Sequence, residues 1–390
     1  MHVVDISALY SPTGGGIRTY VRHKLRAAQR LGIELTVIVP GADDRVEESS
    51  PRVRLVSIPS PRFPLDRSYF YFESDAVIHA ALDRWQPDFI EASSPWGSAT
   101  AVAEWRGSAP RSLIMHAEPL SAWAYRWFEN VASHRTVDRG FEWFWRHLRR
   151  LDARMDLIVS AAPSLTQRLR GGGLNNVETI PMGVEPGIFA PLHRDPALRA
   201  RLLARCGLPE SATLLLGSGR FSPEKRWPMV ISAAMAAGYD RPLGLCIIGD
   251  GHARASVIRA VGENPHVQLL APLTDRHEFA RLMASADLLV HGSSAETFGM
   301  VQAEARASGL PMVVPDEGAA FDQLLPGQGK AYAAGNAASA AAAISAALDE
   351  LPALRSASAA AAAGIRTMDL HFDDLFGSYQ QLADRARRAA

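Results

Sequence analysis

Arg220 and Lys225 stand five residues apart in Gly217-Ser218-Gly219-Arg220-Phe221-Ser222-Pro223-Glu224-Lys225, directly after an apolar run and directly before a helical pattern. In a strand-to-helix loop, two such cations can converge on one diphosphate and stabilise the charge that develops on a departing phosphate. A solvated basic loop has the same composition. Lysine is scarce here, however: Lys24, Lys225 and Lys330 are the only lysines among 41 basic residues, so a lysine inside a motif carries extra weight.

A second stretch, His291-Gly292-Ser293-Ser294-Ala295-Glu296-Thr297-Phe298-Gly299-Met300, leads into Val301-Gln302-Ala303-Glu304-Ala305. A strand ending near His291, a small-residue loop and a helix beginning near Phe298 would aim free backbone N–H groups into the crevice beyond the strand ends. Glu296 in the loop could hold sugar hydroxyls, and Glu304, two turns into the helix, could hold a ribose. The plainer alternatives are a dipole-compensating glutamate and a surface helix glutamate.

The elements that would position these residues repeat along the chain. A strand at 3–9, the loop Gly14-Gly15-Gly16, a helix over 17–31 with apolar residues at 3.6-residue spacing, and a strand at 34–39 form a βαβ unit with a right-handed crossover. Apolar runs at 53–58, 87–92, 111–115 and 156–160 continue this first sheet. Prolines and glycines interrupt 181–210, which reads as a junction. A second series has strands at 212–218, 243–249, 266–271, 287–291 and 311–315, and the alanine-rich 333–364 stretch is helix-forming. The expected fold is therefore α/β, with two Rossmann-like doubly wound domains.

Composition narrows the partners. With 390 residues, the chain is long enough for two domains. Its 41 basic and 41 acidic residues give no net field to recruit nucleic acid. Cys206 and Cys246 lack any metal-ligand spacing, no apolar run reaches the roughly 20 residues that span a bilayer, and the N-terminal residues do not read as a signal peptide. The expected location is cytoplasmic, with peripheral contact on the inner face of the membrane.

In these motifs the sequence resembles the family-four retaining glycosyltransferases of the GT-B fold over nearly its whole length. The matching residues are Gly14-Gly15-Gly16, Ile180-Pro181-Met182-Gly183-Val184 with Phe189 and Pro191, Gly219-Arg220 to Lys225, Ile248-Gly249-Asp250-Gly251, and Glu296 and Glu304 with seven residues between. The resemblance implies two domains facing each other across a cleft: 1–183 on the acceptor side, with the helix 372–390 returning to it, and 184–371 on the donor side. It implies that Arg220 and Lys225 bind the donor diphosphate and that Glu304 binds the ribose. Glu296 and the backbone of Phe298, Gly299 and Met300 would hold the sugar and phosphate, and backbone near Leu273 would contact the base. Gly15, Gly16 and Gly219 would permit close approach, with His116 facing the sugar. Met182 stands where the family commonly has asparagine, which affects the hinge more than the chemistry.

The implied activity is transfer of a hexose from a nucleotide-diphosphate sugar, UDP ahead of GDP, to an acceptor hydroxyl of a lipid or lipid-linked glycan in cell-envelope biosynthesis, with retention. No cofactor and no metal are expected, because Arg220, Lys225 and a helix N-terminus can neutralise the diphosphate. Residues 119–150 hold half the tryptophans and six arginines against three acids. That mixture suits membrane or amphiphilic-acceptor contact through Trp123, Arg126 and Trp127, or equally tryptophans packed in a core beneath solvated arginines. Two other classes stay open: a pyridoxal-phosphate phosphorylase, which needs a Schiff-base lysine, and a non-catalytic nucleotide-sugar binder, which would not need the full charged set.

Overall fold

Short apolar runs bounded by glycine or polar loops become the strands of two sheets. The computed structural model describes residues 1–8, 10, 16–64, 69–116, 120 and 134–389. Contacts divide these into two units: one contains Met1–Leu120, 134–181 and the C-terminal helix from Met368, and the other contains Met182–Thr367.

The first unit holds β1 (His2–Ile6), β2 (Glu34–Gly41), β3 (Arg45–Ser50), β4 (Val53–Pro59), β5 (Phe89–Ala92), β6 (Arg111–Ile114), β7 (Leu157–Ser160) and β8 (Val177–Thr179). Their order is β3-β4-β2-β1-β5-β6-β7-β8. All pairs are parallel except β3 with β4. The second unit holds β9 (Thr213–Ser218), β10 (Leu243–Ile248), β11 (Val267–Leu270), β12 (Leu288–Val290), β13 (Met312–Pro315) and β14 (Gly329–Tyr332) in the order β11-β10-β9-β12-β13-β14. This all-parallel order reverses direction between β9 and β12, and a doubly wound sheet opens its ligand crevice at such a switch point.

Several elements differ from the sequence reading. Strand β1 stops at Ile6 instead of residue 9. Strands β3, β8 and β14 were not anticipated: β3 is a polar edge strand, Arg45-Val46-Glu47-Glu48-Ser49-Ser50, and β8 is three residues long, so neither carries an apolar period. Within the junction, Pro196–Arg205 is a helix. Asp195 caps it by accepting the Leu198 N–H at 2.9 Å, and Pro196 occupies the first helical position, where a missing N–H costs nothing. The alanine-rich stretch forms two helices, Ala337–Asp349 and Leu351–Ala361, bent by 83° at their junction. The last helix starts at Met368, four residues earlier than expected, and belongs to the first unit. No single helix among the described residues is long and apolar enough to cross a membrane.

The centre of the first sheet carries a buried charge cluster. Lys24, on the helix Gly16–Leu31, is fully enclosed and pairs with Asp5 of β1 at 2.8 Å and with Glu91 of β5. The Tyr379 hydroxyl of the C-terminal helix donates to Glu91 at 2.6 Å and accepts from Ser112 of β6 at 3.1 Å. Burial works against the Lys24 charge, but Asp5 and Glu91 outweigh it and raise its pKa. Burial, joined by the Asp5 charge, pushes Glu91 up to about 7 against the pull of Lys24.

One cation between two buried carboxylates gives a sign to the pH dependence. Glu91 holds its proton in the folded state up to about 7, against 4.5 for the free group, so its contribution to stability is full below 4.5 and is lost as pH rises through 7. Urea unfolding should therefore show a less stable protein at pH 8 than at pH 5, with Glu91→Gln flattening that slope. Lys24→Met, which strands two buried carboxylates, should cost about 3–5 kcal/mol at pH 8. An unchanged slope in Glu91→Gln would refute the assignment.

Candidate functional site

Loops leaving the C-terminal ends of β9, β10 and β12 build the site. After β9 the chain passes Gly219, at φ 150°, and enters a short turn at Pro223–Lys225 before the helix Trp227–Ala237. Two backbone bonds fix this loop against the β10 loop: the Phe221 N–H donates to the Asp250 carbonyl and the Ala253 N–H to the Phe221 carbonyl, both at 2.8 Å. The Trp227 indole N–H donates to the Arg220 carbonyl at 2.9 Å. Beyond β12, an added Cβ on Gly292 would lie 2.4 Å from the Lys225 carbonyl oxygen, so these two loops touch backbone to backbone.

A cavity of about 350 Å³ opens between these loops, walled by Ser218, Gly219, Arg220, Ile248, Gly249, Asp250, Pro272, Leu273, Arg276, Phe279, Met300, Val301 and Glu304. Five of the residues singled out from sequence therefore share one wall: Gly219, Arg220, Leu273, Met300 and Glu304. Phe298 is buried, Gly299 takes a left-handed φ of 84°, and the helix Met300–Ala307 begins directly after it. The first N–H groups of that helix have no intrahelical carbonyl and carry its positive dipole end.

Lys225 and Glu296 lie beside this cavity and are bonded to each other. The Lys225 stem passes Gly219 so closely that an added Cβ there would lie 3.4 Å from Lys225 Cε. His291, the residue after β12, is 1% exposed and reaches Glu296 Oε1 through Nε2 at 3.0 Å. Burial pushes the Glu296 carboxyl up, but the Lys225 charge and the His291 bond outweigh it and hold it well below the usual carboxylate range. Burial also lowers His291, whose imidazole is neutral at pH 7.

Glu304 is 4% exposed, which removes the surface-glutamate alternative. It is paired with Arg276, whose guanidinium lies 4.9 Å over the Phe189 ring and 5.5 Å over the Phe279 ring. Burial raises the Glu304 pKa and Glu185 adds to this, while Arg276 opposes both. Arg276 and His291 were not singled out from sequence. Arg276 follows the helix-capping Asp275, which accepts from the His277 and Glu278 N–H groups, and that cap is the one local signal of its place.

Other candidates fall elsewhere. His116 follows β6 in the first unit, its ring 4.7 Å from that of Tyr20, and burial, Lys24 and His371 together lower it to about 3. Gly16 begins the first helix with open space around it. Gly15, Trp123, Arg126 and Trp127 lie outside the described residues. Of the remaining tryptophans in 119–150, Trp145 is buried under Arg168, whereas Trp143 is 54% exposed. Among the described residues, no group of three or more His, Cys, Asp or Glu side chains could hold a metal ion.

Two family models cover most of the chain: the one described as Glycosyltransferase Family 4 matches residues 14–187, and the one described as Glycosyl transferases group 1 matches residues 200–363. The chain is similar to a GDP-mannose-dependent alpha-(1-6)-phosphatidylinositol dimannoside mannosyltransferase of Mycobacterium tuberculosis, 29% identical over 318 residues that span 80% of this chain and 79% of that protein. A GDP-mannose-dependent alpha-mannosyltransferase of the same species is 29% identical over 332 residues, 84% of this chain and 82% of that protein. Among solved structures, the sucrose-phosphate synthase of Thermosynechococcus elongatus matches with a TM-score of 0.77 at 18% identity, over 98% of this chain and 99% of that one.

The contact of Lys225, Glu296 and His291 can be checked without any ligand. Because the folded-state pKa of Glu296 is depressed, its contribution to stability is present above 4.5 and is lost only as pH falls toward that depressed value. Carboxyl-carbon NMR, assigned with Glu296→Gln, should find no titration of Glu296 down to pH about 3 in the wild type. In Lys225→Met only the His291 contact still opposes burial, and the carboxyl should titrate at a clearly higher pH than in the wild type. Titration in the ordinary range in the wild type would contradict the ion pair.

Proposed function

We propose that this chain, which belongs to the family-four glycosyltransferases and has their GT-B fold, transfers a mannosyl group from GDP-mannose to a hydroxyl of an inositol-phospholipid type of glycolipid. That it is a glycosyltransferase using a nucleotide-sugar donor follows from the family. The family resemblance put UDP-sugars ahead of GDP-sugars; we place GDP-mannose first because two relatives that cover about four-fifths of the chain are GDP-mannose-dependent mannosyltransferases. The observation that carries the reading is the meeting of Arg220, Glu304 and the N-terminus of Met300–Ala307 in one cavity, with the Lys225–Glu296 pair alongside.

In the proposed reaction, Arg220, Lys225 and the N–H groups at the start of the Met300 helix take the diphosphate, and Glu304 accepts from the ribose hydroxyls. Backbone near Leu273 borders the base. Glu296, ionised and therefore an acceptor only, orients the sugar hydroxyls together with the backbone of Phe298 and Gly299. The bond from the anomeric carbon to the phosphate oxygen breaks, and its electron pair stays on the diphosphate. The acceptor oxygen bonds to the same face of the anomeric carbon and its proton passes to the departing phosphate oxygen, so configuration is retained. Lys225 and Arg220 stabilise the charge that grows on that oxygen, and no metal is required.

The test is release of nucleoside diphosphate and sugar transfer to a phosphatidylinositol mannoside acceptor, from GDP-mannose beside UDP- and ADP-sugars, with and without EDTA. GDP-mannose should be the active donor and EDTA should not matter. Lys225→Ala should lower kcat by about 10²–10³-fold while changing donor affinity far less, because its charge counts most in the transition state. Equal losses in kcat and affinity would overturn the role of Lys225, and turnover with UDP-sugars alone would overturn the donor.

A further inference from the structure

The first unit has a cavity of its own, about 400 Å³, lined by Trp96, Gly97, Trp143, Arg146, His147 and Arg150. Its place follows from the strand directions. Trp96 comes four residues after β5 and His116 two residues after β6, and these strands are parallel, so both loops leave the same edge of the sheet. The helix Glu142–Asp152 runs back into β7, itself parallel to β6, which puts the Trp143 end of that helix at the same edge.

The lining is rigid on one side and open on the other. The His147 Nε2 donates to the Pro95 carbonyl at 2.6 Å, and its ring stacks on Trp96 at 6.1 Å and 11°. Trp96 lies over Trp143 at 6.5 Å and over the buried Phe144 at 5.3 Å. Trp96 is nonetheless 40% exposed and Trp143 54%, an uncommon exposure for two adjacent indoles. The arginines of this helix divide by role. Arg149 is committed to Glu142 and to the Gly172 carbonyl. Arg146 and Arg150, one turn apart on the lining face, make no ion pair or hydrogen bond among the described residues.

An indole face accepts the C–H face of a sugar or cyclitol ring, and a pair of guanidinium forks accepts a phosphate. Indole and arginine together are also the pairing that suits the headgroup level of a bilayer. Nucleic acid fits less well, because the chain has no net positive charge to attract it. We propose that this groove binds the phosphorylated headgroup of an inositol phospholipid in the bilayer, phosphate on Arg146 and Arg150 and the cyclitol ring on the Trp96–Trp143 shelf. The proposal rests on the glycolipid-acceptor reading above and adds a site to it.

The test is co-sedimentation of the full chain with phosphatidylcholine vesicles, with and without phosphatidylinositol, using inositol phosphate or inorganic phosphate as soluble competitor. Wild type should sediment with the phosphatidylinositol vesicles, and inositol phosphate should compete better than inorganic phosphate. Binding should fall about tenfold or more in Arg146→Glu/Arg150→Glu, fall in Trp143→Ala, and hold in Arg259→Glu, an exposed arginine of the other unit. Equal sedimentation of the double variant, no sedimentation of the wild type, or competition by inorganic phosphate as strong as by inositol phosphate would overturn the proposal. Circular dichroism and a melting temperature like the wild type's show that the variants fold, and GDP binding by calorimetry reports on the donor site separately. Vesicle binding by a wild type that fails to bind GDP would sink the donor reading and leave this site standing.

Discussion

The backbone from Gly219 to Phe221 reaches its position because Gly249 and Gly251 carry no side chains. A Cβ on Gly249 would lie 2.0 Å from the Gly219 carbonyl oxygen, and one on Gly251 2.5 Å from that of Phe221. Phe221 then closes the seam with its N–H, its carbonyl and a fully buried ring packed edge-on against Trp227. With the loop held at both ends, Arg220 faces the cavity and Lys225 is delivered to Glu296. Neither cation is placed by its own long, flexible side chain; the placing is done by short-range backbone contact between two strand ends. That is the order of precision a transition-state contact needs.

How far the sequence disclosed this varies with the range of the contact. Helix Gly16–Leu31 and the central strands were legible because burial on one or both faces imposes a period or an apolar run. Strand β3 was not, because an exposed edge strand has no reason to be apolar, and Pro196 was taken for an interruption when it starts a helix. Arg220, Lys225, Glu296 and Glu304 stood out by type and spacing. Arg276 and His291 did not, since their meaning comes from partners. Arg276 meets Glu304 across 28 residues of chain, and His291 is one histidine at the end of an apolar run until Glu296 folds back over it.

Lysine scarcity was a real signal but an ambiguous one. All three lysines are in ion pairs: Lys24 with Asp5 and Glu91, Lys225 with Glu296, and Lys330 with Glu350. What separates them is access. Lys24 is 0% exposed and bound between two carboxylates under the first sheet, so it ties strands and helices together and meets no ligand. Lys225 keeps 15% exposure beside a cavity, and Lys330 keeps 30% on the surface. Scarcity made lysine conspicuous in the sequence for a core role and a site role alike, and only burial distinguishes the two.

The two glutamates of the second stretch illustrate how one short segment can hold two electrostatic environments. Burial drives both carboxyls up. At Glu296 a primary ammonium and an imidazole reverse that push, and at Glu304 a single guanidinium does not, with Glu185 close by. The seven intervening residues carry the chain from a loop into a helix and so separate the two carboxylates, which the proposed binding mode assigns to the sugar and to the ribose of the donor. An acceptor held ionised at the sugar tolerates the positive charge that develops on the anomeric carbon. At Glu304 burial, with Glu185 close by, raises the carboxyl against the pull of Arg276, so its present partner is a guanidinium that hydroxyl donors of a bound ribose would have to replace or share. Divergent environments at matched spacing therefore suit binding at one end and chemistry at the other.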